Sequence, residues 1–132
     1  MWRKRGFRQP LPPRDQPDRR PCTGASSAAV SASDRVRTRD GAGTVHGGLA
    51  ATLLDSAMGL AVQSMLDKGF AQTTLEFKIS LVRPITPQTG LVKAEGKVIS
   101  CGRRVGTAEG KLTDKDGRVL AHGTTTCLIY EH

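Results

Sequence analysis

The sequence predicts an α+β domain in which an antiparallel sheet wraps around one long central helix. Residues 47–66 are almost wholly apolar at helical spacing, and the chain after residue 73 alternates apolar and polar side chains between turn signals. The first 39 residues have neither pattern.

The helix is read over Gly47 to Leu66. Leu49, Ala50, Leu53, Leu54, Ala57, Leu60, Ala61 and Met65 recur at intervals of three and four, and no proline interrupts them. Met58, Val62 and Leu66 widen the apolar surface. Thr52, Asp55, Ser56, Gly59 and Gln63 leave one narrow small-and-polar face, in which Asp55 is the only charge. A carboxylate on a mostly buried helix is costly without a partner. Either the narrow face meets water or Asp55 has chemistry to perform, and the pattern alone leaves both open.

His46-Gly47-Gly48 stands where this helix begins. Glycines let the backbone approach a ligand closely, and the unpaired N–H groups and positive dipole end of a helix point along that approach. Such a place suits a carbonyl oxygen acquiring negative charge. Asp55 lies eight residues further on, about 12 Å along a helix rising 1.5 Å per residue. One acyl group cannot touch both. If amide and carboxylate serve one reaction, they come from two copies packed antiparallel, so catalysis here predicts a dimer.

Four strands are expected downstream. Thr73 to Val82 places Leu75, Phe77, Ile79 and Leu81 on one face and Thr74, Glu76, Lys78 and Ser80 on the other, with Thr74 leading the polar face. Pro84 and Pro87 close it. Leu91 to Ser100, Arg104 to Thr113 and Arg118 to Tyr130 follow as a meander, separated by Cys101-Gly102 and by Asp116-Gly117.

Composition isolates the beginning of the chain. The net charge is +8, and residues 1–40 hold ten Lys or Arg against four Asp. Rich in Arg and Pro and poor in large apolar residues, residues 1–39 are expected to form a basic, mobile arm, with the folded domain over 40–132. The arm lacks the apolar run of a secretory signal, and its Asp15, Asp18 and Asp34 weigh against a mitochondrial one. It reads as a solvated tail or as the product of a shifted frame or start site. Binding of nucleic acid through its charge is a further reading, testable by its salt dependence. Cys22, Cys101 and Cys127 fit neither a zinc pattern nor a disulfide framework, so reduced, inert thiols are expected. Few aromatics argue against base stacking, and no run is long enough to span a membrane.

Residues 40–130 resemble hotdog-fold acyl-CoA thioesterases of the phenylacetate-pathway type, within the 4-hydroxybenzoyl-CoA thioesterase-like superfamily. The resemblance rests on Asp40-Gly41-Ala42-Gly43-Thr44-Val45-His46-Gly47-Gly48 followed by Leu53-Leu54-Asp55. It implies that the Gly47 amide polarises a thioester carbonyl and that Asp55 of the partner copy activates water or attacks. In some members a hydroxyl on the next strand assists, and with one extra residue in the connecting loop that position falls on Thr74. His46 orients the loop by hydrogen bonding or serves as an ordinary cap. Relatives carry Asn where this chain has Asp40, which when ionised accepts but cannot donate a hydrogen bond. The domain of such relatives has an additional strand before the loop, for which Ala28, Ala29, Val30 and Val36 are poor material, so none is expected here.

The implied function is hydrolysis of a fatty or aromatic acyl-CoA by a cytoplasmic homodimer or homotetramer without metal or cofactor. A noncatalytic acyl-CoA-binding protein of the same fold is the alternative. Neither a membrane nor a specific nucleic acid is expected as partner. Coenzyme A phosphates need cations, for which Arg103-Arg104 and Arg83, with Lys78 behind, are candidates; ordinary solvated charge is the competing reading. Asp40, Gly48, Arg83, Arg103 and Arg104 are the expected substrate-binding residues.

Overall fold

Helix α1 spans Gly47–Ser64, and its start and stop are set locally. His46 is the N-cap, its Nδ1 accepting the Gly48 N–H at 2.9 Å while its carbonyl accepts the Leu49 N–H. The chain leaves the helix at Met65, and Gly69, at a φ of +93°, makes the turn into the next strand. The computed structural model describes residues 27–32 and 44–132.

Among the described residues, five strands form one antiparallel sheet: β1 (Ser27–Ala32), β2 (Phe70–Leu81), β3 (Val92–Cys101), β4 (Val105–Thr113) and β5 (Val119–Glu131). Their order is β1-β3-β4-β5-β2, which puts β1 and β2 on the two edges. The downstream elements agree with the sequence reading to within a few residues at their ends. β1 does not. It pairs with β3 from Ser27↔Lys97 to Ala32↔Val92, inside the stretch expected to be a mobile arm. The boundary at residue 40 is therefore corrected, since the sheet includes 27–32. A strand of small residues forms because the β3 edge needs a partner, and that partner is distant in sequence. Local composition carries no trace of it.

The helix lies on the sheet at very short range. Gly96 and Gly110 are paired in register, as are Gly110 and Gly123, giving a row of glycines across β3, β4 and β5. A Cβ at Gly96 would run into the Ala57 carbonyl and the Met58 nitrogen, and one at Gly110 would fall 2.8 Å from Met58 Cγ. Without those side chains the Leu54–Met58 turn settles onto bare backbone. Leu54, Met58, Val62 and Leu112 are completely buried around it, each side chain contributing roughly 1.5–3 kcal/mol by leaving water.

The opposite end of β4 is closed by a tight turn to β5. Gly117, at a φ of +79°, donates its N–H to the Asp114 carbonyl, and Asp114 Oδ1 accepts the N–H groups of Asp116 and Arg118. Its Oδ2 accepts from Arg118 Nε at 2.8 Å. Burial of Asp114 would raise its carboxyl, but the bonds donated by Arg118 and Asp116 outweigh that and hold it below its ordinary value. No helix among the described residues is long and apolar enough to cross a membrane.

Candidate active site

Gly47 is the first residue of α1, and the bonds around it leave its amide exposed to chemistry. The Gly48 N–H is taken by the His46 ring and the Leu49 N–H by the His46 carbonyl. Gly47 donates to no acceptor among the described residues, so an orphan N–H stands at the positive end of the helix. The loop before it is tied down by the Val45 N–H, which donates to the Ile85 carbonyl at 2.8 Å. His46 Nδ1 acts as an acceptor, so the ring orients this turn through the nitrogen that carries no proton. Leu81 lies against Gly47, its Cδ1 2.6 Å from where a Cβ would sit.

The narrow polar face of α1 does not simply meet water. Asp55 Oδ1 accepts the Thr74 hydroxyl at 2.9 Å. One turn on, Gly59 is buried, leaving room for the Gln72 amide, whose nitrogen is 3.0 Å from the Gly59 Cβ position. Two turns on, Gln63 donates to the Phe70 carbonyl and accepts the Gln72 N–H. Asp55, Gly59 and Gln63 thus run along the first half of β2, while Thr52 and Ser56 are exposed.

Thr74 reaches Asp55 through an irregularity that alternation does not reveal. Residues directly opposite in a sheet share a face. Thr74 is opposite Cys127 and Phe77 is opposite Thr125, with the register slipping between Thr74 and Glu76. Three residues of β2 therefore match two of β5, and the extra one is a β-bulge. The expected grouping of Leu75 with Phe77, Ile79 and Leu81, and of Thr74 with the polar face, is corrected here. Thr74 shares the helix face with Phe77, Ile79 and Leu81, and Leu75 turns outward, 56% exposed.

Two β5 residues that the sequence does not associate with Asp55 join this cluster. Cys127, opposite Thr74 on β5, and Thr125, opposite Phe77, are both buried. Burial pushes the Cys127 thiol above its ordinary value, and the nearby Asp55 charge adds to this, against hydrogen bonds with Thr125 and Thr74. It stays a protonated thiol at neutral pH, inert as a nucleophile. Cys101, expected to be reduced, is disulfide-bonded, which the sequence spacing gave no reason to anticipate.

The remaining candidates are scattered. Arg83, two residues beyond Leu81, lies towards the Gly47 end and donates Nη1 to the Val119 carbonyl. Arg103 and Arg104 occupy the β3–β4 turn, next to Gly106, which faces Val62 near the other end of the helix. One chain does not bring these cations together with Gly47. Asp40 lies outside the described residues. Gly47 and Asp55 also stay apart, about 12 Å along the helix axis. Among the described residues β2 is an edge strand paired on one side only, and its Leu75, Phe77 and Leu81 are 56%, 43% and 61% exposed. A long apolar edge of this kind is a template for another strand.

A family model described as the thioesterase superfamily matches residues 42–121. A Halobacterium salinarum protein described as an esterase is 45% identical over 71 residues, which cover 52% of this chain. The match covers 45% of that protein, so the chain spans less than half the length of the curated relative. Among solved structures, a conserved protein of Pseudomonas aeruginosa is 29% identical at a TM-score of 0.75, with 84% of this chain and 86% of that one covered. A Bacillus halodurans protein solved with CoA is 29% identical at a TM-score of 0.72, covering 77% and 66%. A Ralstonia eutropha protein described as phenylacetic acid degradation-related is 28% identical at a TM-score of 0.71, covering 79% and 76%.

Proposed function

The chain belongs to the thioesterase superfamily and has its hotdog fold, and from that premise we propose that it hydrolyses a fatty or aromatic acyl-CoA at a site shared by two antiparallel copies. The observation that carries this reading is the pairing of an orphan N–H at Gly47 with a hydroxyl-held carboxylate at Asp55, too far apart to serve one carbonyl from a single helix.

In the proposed reaction the thioester carbonyl oxygen sits on the Gly47 N–H of one copy. Thr74 holds Oδ1 of Asp55 in the other copy, leaving Oδ2 to take a proton from water as its oxygen attacks the carbonyl carbon. Negative charge gathers on the carbonyl oxygen, where the amide and the helix dipole stabilise it. The C–S bond then breaks, the acid is released, and the departing thiolate of coenzyme A recovers the proton from Asp55. His46 keeps the glycine turn in place, with Gly48 at its side. Arg83, Arg103 and Arg104 are the cations offered to the coenzyme A phosphates, and the CoA in the Bacillus halodurans relative supports that class of substrate.

The exposed apolar edge of β2 supports a dimer, of which a tetramer would be two. Hydrolysis of short, long and aromatic acyl-CoAs, followed by release of free thiol, tests the activity. Turnover of at least one of them is expected. Saturable binding of acyl-CoAs without hydrolysis would replace this reading with the noncatalytic one, and a monomer by sedimentation would remove the shared site.

A further inference from the structure

The contact between Thr74 and Asp55 depends on one extra residue in β2. Cys127 and Thr125 both face the helix and are separated by two positions, whereas their partners Thr74 and Phe77 are separated by three. Without the bulge, Leu75 would stand opposite Cys127, and Thr74 would turn to the outer face of the sheet. Something has to hold that residue in place against the regular ladder.

Thr125 is 2% exposed, and a hydroxyl buried to that extent is costly if unbonded. Its Oγ1 donates at 3.0 Å to the carbonyl of Glu76, the residue at which pairing resumes after the bulge. Valine has nearly the same shape and would suit the burial better. The hydroxyl is bonded to the backbone of the irregularity rather than to its own cross-strand partner, Phe77. We propose that Thr125 is a positioning residue, whose hydroxyl fixes the β2 bulge and so keeps the Thr74 hydroxyl on Asp55. The proposal rests on the thioesterase reading for its effect on rate, but its structural half stands apart from it.

The test compares Thr125→Val, Thr125→Ser and Thr125→Ala, measured on the acyl-CoA that the wild-type protein turns over best and examined by crystallography. Thr125→Val is expected to lose at least about tenfold in kcat, the equivalent of one ordinary hydrogen bond, with KM within about twofold. Thr125→Ser, which keeps the hydroxyl, is expected to retain kcat. Serine and alanine have lost the same methyl group, so a gap between them reads the hydroxyl alone should valine fail to fold. Equal kcat values for Thr125→Ser and Thr125→Ala would overturn the proposal, as would a Thr125→Val crystal structure that keeps the bulge and the Thr74–Asp55 contact. If the wild-type protein hydrolyses no acyl-CoA, the thioesterase reading fails alone. The crystal structure then decides this inference: loss of the bulge or contact supports it and retention refutes it.

Discussion

Replacing Gly47 by proline separates the helix start from the amide it presents. Proline lacks the N–H that the proposed reaction uses, and the first position of a helix is where proline is best tolerated. His46, with φ −57° and ψ 136°, already has the extended conformation that a residue before proline requires. A new Cβ would fall 2.6 Å from Leu81 Cδ1, but Leu81 is 61% exposed and can turn away. Since Gly47 donates to no acceptor among the described residues, the fold loses no known hydrogen bond. Thermal stability is therefore expected to change little. Loss of one oxyanion donor is worth about 10²–10³ in kcat, or roughly 2.7–4 kcal/mol. Mixing this variant with Asp55→Asn adds a test of assembly. Random exchange makes half of the dimers hybrids, each with one intact site of two, so recovery of about a quarter of wild-type activity is expected. A folded Gly47→Pro protein with near-normal kcat would refute the role of the amide. Proven subunit exchange without recovery would refute the shared site.

Asp55→Asn should remain folded, because an amide oxygen can still accept from Thr74, yet lose about 10²-fold or more in kcat with the base; turnover close to wild type would remove Asp55 from the mechanism. Gly96→Ala sets a Cβ against the backbone of Ala57 and Met58, which cannot yield as a side chain would. It should cost at least about 2 kcal/mol, or roughly 10 °C in Tm, whereas Gly102→Ala, meeting nothing nearer than 3.5 Å, should melt close to wild type. Deleting residues 1–39 removes β1 and bares the β3 edge; scanning calorimetry should register a lower Tm, and an unchanged Tm would return those residues to the status of a tail. The Asp114 carboxyl is depressed in the folded state, so its contribution is complete above the ordinary carboxylate value and is lost as pH falls through the folded one. Below about pH 4 the wild-type Tm should fall more steeply than that of Asp114→Asn, and parallel profiles would contradict the assignment.

The helix and the later strands were legible because their periods, 3.6 and 2, are written in consecutive side chains. What a period cannot carry is a partner. β1 contains only small side chains, and it exists through its ladder with β3, a pairing that no local pattern encodes. The β2 bulge was hidden for the same reason. Thr73 to Val82 alternates without a break, yet the register with β5 slips at Leu75, and this alone decides that Thr74 faces Asp55. The polar face of α1 was visible as a stripe; Thr74 was reached only through the family resemblance, and Gln72, which packs at Gly59, not at all. Arg83, Arg103 and Arg104 could be chosen for their charge, whereas their separation at opposite ends of the sheet depends on topology.

β2 links chemistry to assembly on the proposed reading. Its first half receives the polar face of α1, and its hydroxyl holds the carboxylate. Among the described residues its outer edge has no strand beside it, and Leu75, Phe77 and Leu81 are exposed. A domain of this size has a modest core, so covering such an edge with a second copy stabilises the fold as well as the pair. The same antiparallel arrangement is what the separation between Gly47 and Asp55 demands, since each helix can present only one of the two groups to a given carbonyl. The bulge belongs to both arguments. By turning Leu75 outward it adds apolar surface to the edge, and by turning Thr74 inward it completes the contact to Asp55. One inserted residue thus decides which β2 side chains face the helix, and Thr74 is among them.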